Sequence, residues 1–208
     1  MLHVYYYDCD LAVCEKPRGT LSEGEGKDAL PVLLATALSK EGDVRTVYPV
    51  HRLDRETEGI MVYALNADAA AALSAQMAAQ KVHKEYLAEV HGTPNPLEGC
   101  MEDLLFFDRT RNRSYVVTRM RRGVKEASLR YRVLESAGEG ISRVAIRLKT
   151  GRTHQIRVQF GSRRMPLVGD RRYGAPPSGR PLALRACYLS FLHPTTGERM
   201  SFGETHFE

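Results

Sequence analysis

The sequence lacks a long apolar run: none of its segments approaches the roughly 18 residues that a membrane-spanning helix needs. Its first residues, MLHVYYYDCDLAV, contain no basic segment followed by an apolar one, which is the pattern of a secretion signal. We therefore expect a cytoplasmic protein with no membrane partner.

Patterns that predict disulfides or metal sites are also scarce. The four cysteines form no CxxC pair and are too few for a disulfide framework in 208 residues, so we expect reduced, partly buried thiols. The seven histidines include no HExxH or HxH pair. His51 and Asp54 could in principle bind a metal, but they have no companion ligands nearby in sequence. The sequence predicts no metal site.

Acidic residues are rare in the second half of the chain. Residues 1 to 108 contain 9 Lys or Arg and 18 Asp or Glu, whereas residues 109 to 208 contain 21 and 7. Residues 109 to 125 have seven basic residues and no acid, and residues 143 to 172 have nine basic residues with Asp170 as their single acid. A solvated hairpin or loop would also explain the first segment. Two such segments favour contacts with the phosphates of a polyanion.

The hydrophobic pattern predicts an α+β fold with a mixed or antiparallel sheet, because helix and strand patterns are interspersed without regular βαβ repetition. Helices are predicted after the N-caps Asp28, Asn66 and Thr153, the first of them ending at Gly42. Strands are predicted at residues 4 to 8, 11 to 16, 59 to 65, 84 to 92 and 143 to 149, and on both sides of a turn at 194 to 197. The charge change near residue 108 is the strongest candidate for a boundary, but we expect one domain over residues 1 to 208.

The segment HRLDRETEG, residues 51 to 59, places Asp54 between Arg52 and Arg55, just before the apolar run IMVYAL. A turn carboxylate balanced by neighbouring arginines is a common exposed arrangement. Taken alone, the segment favours a turn residue over a reactive group, so the role of Asp54 depends on the rest of the chain.

Four segments, HRLDRETEG, KEYLAEVHG, GRTHQIRV and LRACYLSFLHPTTGE, occur in the order and at the spacing of the RluA-type pseudouridine synthases. CEKPRG also resembles the Lys-Pro-x-Gly segment near the start of that family. The resemblance implies a cofactor-free enzyme that isomerises uridine in structured RNA, tRNA or rRNA, to pseudouridine. It also implies a mixed, mostly antiparallel central sheet flanked by helices and loops, with an active-site cleft across its middle.

The matching motifs carry the predicted site residues. The resemblance implies that Asp54 is the catalytic carboxylate, that Tyr86 stacks on the target base, and that Arg157 pairs with Asp54. The structural alternatives are a turn carboxylate, a half-buried strand tyrosine and an exposed helix arginine. Substrate-binding roles are predicted for four further residues: Arg52, which would fill the space of an extruded base or grip a displaced phosphate, Leu184 against the active site, and Arg152 and His154.

The sequence departs from the family pattern at three positions. Glu58 stands where Ser is usual, Gln159 where His is usual, and Arg185 where His is usual. These changes leave the three predicted catalytic residues in place, but they weaken any assignment to a subgroup and hence to a particular RNA.

Other functions remain open from the residues themselves. A non-catalytic RNA-binding module would explain the charge asymmetry without a catalytic role for Asp54. A glycosidase would need a second carboxylate as partner, and a nuclease would need a metal cluster, which the sequence does not predict. We expect a monomer.

Overall fold

The computed structural model describes residues 2 to 39, 45 to 137 and 140 to 207. Within these ranges the chain forms eleven strands, three α-helices and a short 3-10 turn at Arg171–Tyr173. In chain order the elements are β1 (Val4–Tyr7), β2 (Leu11–Lys16), α1 (Leu30–Leu38), β3 (Tyr48–Pro49), β4 (Glu58–Ala64), α2 (Ala67–Ala78), β5 (His83–His91), β6 (Glu98–Asp108), β7 (Arg113–Val117), β8 (Val124–Ala137), β9 (Ile141–Leu148), α3 (Gln155–Ser162), β10 (Leu184–Leu192) and β11 (Arg199–Gly203). The predicted α+β class with a mostly antiparallel sheet is confirmed.

The chain divides into two compact units. The first consists of Met1–Lys84 and Ala186–Thr205, and the second of Glu85–Arg185 and His206–Glu208. The charge change near residue 108 falls in the turn between β6 and β7, inside the second unit. It therefore marks a loop and not a boundary between units.

The first unit is built on strands in the order β1-β2-β4-β10, with β3 paired to β4 and β11 paired to β10. β2 and β4 are antiparallel, with Leu11 opposite Ala64 and Lys16 opposite Gly59. The apolar run of β4 is buried along almost its whole length, as its composition predicts. Helix α2 adds Leu73 to the same core, which also contains Phe191 of β10.

The second unit contains strands in the order β5-β9-β8-β6-β7, each pair with a described register being antiparallel. Tyr86 of β5 lies opposite Ile146 of β9. Helix α3 packs on this sheet through Val158, which shares a buried cluster with Leu105, Ala127 and Tyr173.

The helix boundaries test the predicted caps. The Asn66 prediction is confirmed, because its side chain accepts a hydrogen bond from the Ala69 amide at 2.8 Å. The Asp28 prediction is wrong: α1 begins after Ala29, and the carbonyl of Asp28 instead accepts a hydrogen bond from the Leu21 amide. Helix α1 ends at Leu38 with Ser39 as its C-cap, and Gly42 lies outside the described residues.

The Thr153 cap prediction is also wrong. The residue before α3 is His154, whose φ of 55° is in the left-handed region, so the chain turns one residue later than predicted. The Thr153 carbonyl accepts a hydrogen bond from the Ser114 hydroxyl, a tertiary contact that local spacing cannot show. Among the described residues, no helix is long and apolar enough to cross a membrane.

Candidate active site

Asp54 lies in the loop between β3 and β4, and a buried lysine of β2 holds that loop. Lys16 is 0% exposed. Its Nζ donates hydrogen bonds to the carbonyl oxygens of Arg55 at 3.0 Å, Thr57 at 2.7 Å and Pro17 at 3.0 Å. Three acceptors match the three N–H donors of an ammonium group. Burial lowers the pKa of Lys16 to about 8, and the nearby carboxylate of Asp54 acts in the opposite direction.

A second set of contacts fixes the residue on the other side of Asp54. The buried Ser22 hydroxyl donates to the Leu53 carbonyl at 2.7 Å and accepts from the Leu53 amide at 3.0 Å. The Tyr63 hydroxyl in turn donates to the Ser22 carbonyl at 2.8 Å. Because buried hydrogen bonds hold the chain on both sides of Asp54, its backbone has little freedom to move.

The turn at Asp54 is closed by its backbone: the carbonyl oxygen of Asp54 accepts a hydrogen bond from the Thr57 amide at 3.0 Å. Gly59 then fixes where the loop joins β4. Its φ is +126°, and a Cβ there would lie 2.2 Å from the Ala186 carbonyl oxygen, so no larger residue fits. The segment HRLDRETEG thus forms a turn, as its local pattern predicts. Its hydrogen bonds also restrict the backbone that carries the Asp54 side chain.

His51, at the start of the loop, has a structural role. Its Nε2 accepts a hydrogen bond from the Val62 amide of β4 at 3.1 Å. Burial, with a smaller contribution from the charge of Lys84, lowers the pKa of His51 to about 3, so the ring is neutral at physiological pH. The lone pair of His51 Nε2 accepts the hydrogen bond from the Val62 amide, so it is not available to a metal ion. The described part of the chain contains no group of three or more His, Cys, Asp or Glu placed to hold a metal ion.

The arginines that flank Asp54 have different partners. Arg52 forms an ion pair with Glu23, Nη1 to Oε1 at 2.8 Å, and the two side chains are 63% and 54% exposed. Arg55 donates from Nε to the Gly19 carbonyl at 2.8 Å, and the Gly19 amide donates back to the Arg55 carbonyl. Arg55 thus helps to close the loop, whereas Arg52 points its charge to solvent.

In the second unit, Arg157 of α3 is held by a carboxylate that lies 13 residues later in the sequence. Its Nε donates to Asp170 Oδ2 at 2.7 Å and its Nη2 to Oδ1 at 2.9 Å. Arg157 is 7% exposed and Asp170 is 2% exposed. The predicted exposed-helix alternative for Arg157 is therefore wrong. Asp170 was not among the predicted site residues, although it is the single acid in a basic segment.

His154 joins the same group through Tyr173. The Tyr173 ring lies against the Arg157 guanidinium, 5.3 Å from its centre. The Tyr173 hydroxyl accepts a hydrogen bond from the Ser114 amide at 2.8 Å and lies 2.9 Å from His154 Nδ1. The structure thus brings His154 and Arg157 together, with Asp170 and Tyr173 as residues that sequence reasoning missed.

The remaining predicted residues lie on other elements. Tyr86 on β5 and Leu184 at the start of β10 are both buried. Arg152 is half-buried, and its Nε donates to the Glu126 carbonyl at 2.8 Å. This contact positions Arg152 at the N-terminal approach to α3.

Two departures from the family pattern have partners in the structure. Glu58 forms an ion pair with Arg18, the variable residue of the Lys-Pro-x-Gly segment, at 3.3 Å. Gln159 is buried, and its Nε2 donates to Asp103 Oδ2 at 2.7 Å. Glu58 and the amide nitrogen of Gln159 therefore have polar partners within their own units.

Comparisons with known proteins agree with this architecture. Human RNA Pseudouridylate Synthase Domain Containing 4 has the same fold, with a TM-score of 0.79 at 24% identity, covering 98% of this chain and 88% of that chain. Human RNA Pseudouridylate Synthase Domain Containing 1 has a TM-score of 0.78 at 26% identity, covering 99% and 83%. The fold is therefore that of a pseudouridine synthase.

The sequence comparisons define the family. A family model described as RNA pseudouridylate synthase matches residues 10 to 162. The chain is 34% identical over 209 residues to the dual-specificity RNA pseudouridine synthase RluA of Escherichia coli (strain K12), covering 97% of this chain and 91% of that protein. The chain belongs to the RNA pseudouridylate synthase family and is an isomerase of RNA uridine.

Proposed function

We propose that this enzyme converts particular uridines of tRNA or rRNA to pseudouridine, with Asp54 as the catalytic carboxylate. The observation that supports this most directly is the loop of Asp54, whose backbone is held by the buried Lys16 on one side and by Ser22 on the other. An exposed turn residue does not require its backbone to be restrained in this way. A catalytic carboxylate does require it, because a displacement of about 1 Å from the reacting atom can cost about 100-fold in rate.

The reaction sets clear demands on the site. The N1–C1′ bond breaks, the uracil turns while it remains bound, the C5–C1′ bond forms, and the hydrogen on C5 leaves as a proton. Asp54 could attack C1′, add to C6 or remove the C2′ proton. Each route requires an ionised carboxylate at a fixed position beside the nucleotide, and the hydrogen bonds on both sides of Asp54 support its assignment to that role.

Two further catalytic roles follow from the family motifs. Tyr86 provides the aromatic face on which the uracil stacks, and stacking of this kind contributes roughly 1 to 3 kcal/mol per base. Arg157 is the counter-ion of the catalytic carboxylate, and a guanidinium held in a fixed orientation suits that task. Leu184 supplies an apolar wall for the base.

RNA binding is proposed to use the cations that have no carboxylate partner. Within the described chain, Arg119, Arg122 and Lys125 are exposed and form no ion pair, and the neighbouring Arg121 guanidinium lies 5.2 Å from the centre of the Phe106 ring. The three arginines lie in the turn between β7 and β8 and Lys125 at the start of β8, all within the segment that the sequence predicts to contact phosphates. Arg152 and His154 are proposed to act nearer the reacting nucleotide.

A uridine in a helix or a stacked loop must leave its stack before a carboxylate can reach C1′, at a cost of a few kcal/mol. We assign the support of that extruded state to Arg52, whose exposed pair with Glu23 contributes only about 0 to 1 kcal/mol and can be exchanged for a phosphate. Residues 1 to 208 are proposed to act as one catalytic domain in a cytoplasmic monomer.

Release of tritium from C5 tests this function. Unmodified tRNA and rRNA transcripts carrying [5-³H]uridine should release label with the purified enzyme, without added metal, and Asp54→Asn should abolish release. Asp28→Asn, at an exposed residue, should leave the rate unchanged. If all three proteins bind the transcripts and none releases label, the non-catalytic RNA-binding module is the better description.

A further inference from the structure

Two different residues fix the orientation of the Arg157 guanidinium, one by contacting its edge and the other by covering one of its faces. Asp170 occupies the edge formed by Nε and Nη2, at 2.7 and 2.9 Å. The Tyr173 ring covers a face, 5.3 Å from the guanidinium carbon to the ring centre. A planar group held in both ways has no rotation left that preserves its contacts.

The groups that hold Arg157 are themselves held. The Tyr173 hydroxyl accepts a hydrogen bond from the Ser114 amide and contacts His154 Nδ1. Asp170 lies in a tight turn, in which its amide donates to the Leu167 carbonyl and its carbonyl accepts from the Tyr173 amide. One turn of the chain therefore supplies both the carboxylate and the ring.

Gly169 makes this turn possible. Its φ is +78°, and a Cβ at this position would lie 2.2 Å from the Pro181 carbonyl oxygen. Since only glycine fits such a close approach of two backbones, the sequence Gly169-Asp170 is required to bring the carboxylate to Arg157.

Charge compensation alone would not require this geometry. A buried arginine needs a carboxylate nearby to offset the loss of hydration, and many arrangements would satisfy that need. Here the pair is bidentate, the ring packs on the guanidinium, and the tyrosine hydroxyl is anchored separately. Excess restraint of this kind is typical of groups whose orientation matters for chemistry.

We propose that Asp170 is a positioning residue for catalysis, which orients the Arg157 guanidinium for its task at the catalytic carboxylate. This inference rests on the proposed function, in which Arg157 is the counter-ion of Asp54. Asp170 itself acts through Arg157 and does not touch the uridine. Tyr173 supports the same orientation from the face of the guanidinium.

The chain offers a matched control for this inference. Asp103 and Arg163 form another bidentate Asp–Arg pair of the second unit, at 2.9 and 3.2 Å, with Asp103 also bound by Gln159. Asp103→Asn therefore removes a charge from a pair of the same bidentate geometry, although more exposed, that has no proposed part in the reaction. Asp170→Asn and Asp103→Asn should both be compared with wild type in thermal melts and in RNA binding.

The decisive measurement is the single-turnover rate of tritium release at saturating enzyme. We expect Asp170→Asn to lower this rate by about 100-fold and to change the RNA dissociation constant by less than about threefold. Asp103→Asn should leave the rate within about threefold of wild type. A loss of rate in Asp170→Asn that is no larger than in Asp103→Asn would overturn the inference.

A double-mutant cycle separates positioning from general damage to the fold. Arg157→Lys keeps the charge but cannot form the bidentate pair. If Asp170 acts through Arg157, then Asp170→Asn should cost little further rate in the Arg157→Lys background. Independent, additive losses in the two backgrounds would contradict a positioning role.

The inference and the proposed function fail in different ways. Release by wild type that Asp54→Asn abolishes upholds the function whatever Asp170→Asn does, so an active Asp170→Asn enzyme defeats the positioning role alone. If wild type releases no tritium from any of the transcripts, both are defeated.

Discussion

The Nζ of Lys16 lies 2.7 Å from the carbonyl oxygen of Thr57, which connects the end of β2 to the loop that carries Asp54. The two residues are 41 positions apart in sequence. Because Lys16 also binds the carbonyl of Arg55, it holds the loop immediately after the proposed catalytic carboxylate. Since the described hydrogen bonds of Lys16 all go to backbone carbonyls, this lysine belongs to the framework of the site and is not one of its reagents.

Replacement of Lys16 should therefore affect stability first. Lys16→Met keeps most of the apolar stem but removes the Nζ donor of the buried Thr57 carbonyl, at about 1 to 3 kcal/mol for an unsatisfied buried group. The Arg55 and Pro17 carbonyls each keep a backbone amide as a second donor. We expect the free energy of unfolding to fall by about 1 to 3 kcal/mol, as measured in urea. Lys27→Met, at an exposed lysine, should be neutral. Equal stability of the two variants would contradict the structural role of Lys16.

The loop should also respond to acid through His51. Burial lowers the pKa of His51 to about 3, against 6.5 for the unfolded ring. Between these two values the unfolded chain binds a proton that the folded chain does not, so the free energy of unfolding must decrease as the pH falls. The stabilisation is complete above pH 6.5 and is lost progressively toward pH 3, by at most about 1.4 kcal/mol per pH unit.

Urea unfolding at pH 7.5, 6, 5 and 4.5 measures this effect. His51→Gln can still accept the hydrogen bond from the Val62 amide but does not titrate, so its stability should vary less steeply over this range. The exposed His83 gives a control, and His83→Gln should keep the wild-type pH dependence. A His51→Gln protein with an unchanged slope would show that another group is responsible.

Much of the fold could be predicted because its buried strands have simple patterns. β4 is a continuous apolar run between polar turns, and β5, β9 and β10 also lie where strand patterns predict them. β6 and β8 were not predicted. Charged residues at positions of the buried phase, Asp103 in β6 and Lys125 in β8, interrupt their alternation, so local composition favours a loop.

The site was predicted less completely, for a physical reason. Motif resemblance points to side chains that are proposed to face the substrate, such as Asp54 and Arg157, but not to the groups that hold them. Lys16 contacts residues that are distant in sequence, and Asp170 reaches Arg157 only because the chain turns between them. Hydrophobic periodicity in a short segment does not predict either kind of contact. The assigned pairing of Arg157 with Asp54 remains a prediction, whereas its pairing with Asp170 is observed.

RNA affinity should depend on the exposed cations between β7 and β8. The double variant Arg119→Ala/Arg122→Ala should weaken RNA binding, and the plot of log affinity against log salt should become shallower by about 0.7 to 0.9 for each phosphate that the variant no longer binds. Arg130→Ala/Arg132→Ala is the control, since it removes the same charge. These two arginines should contribute less to RNA binding because both already pair with Glu98 at 2.9 Å. If both double variants reduce the slope equally, binding depends on net charge and not on this turn.

Arg52 should matter for turnover and not for folding. Its pair with Glu23 is exposed on both sides, so Arg52→Ala should change the free energy of unfolding by less than about 1 kcal/mol. Removal of a group that supports an extruded uridine should lower the rate of tritium release at least about tenfold. Glu23→Gln should tighten RNA binding at low salt, because it removes the carboxylate that competes with phosphate for Arg52.

Arg55→Ala is the contrasting variant: it breaks the contact with the Gly19 carbonyl and should lower stability. Proportional losses of stability and turnover in Arg52→Ala would show that Arg52 serves the loop and not the RNA.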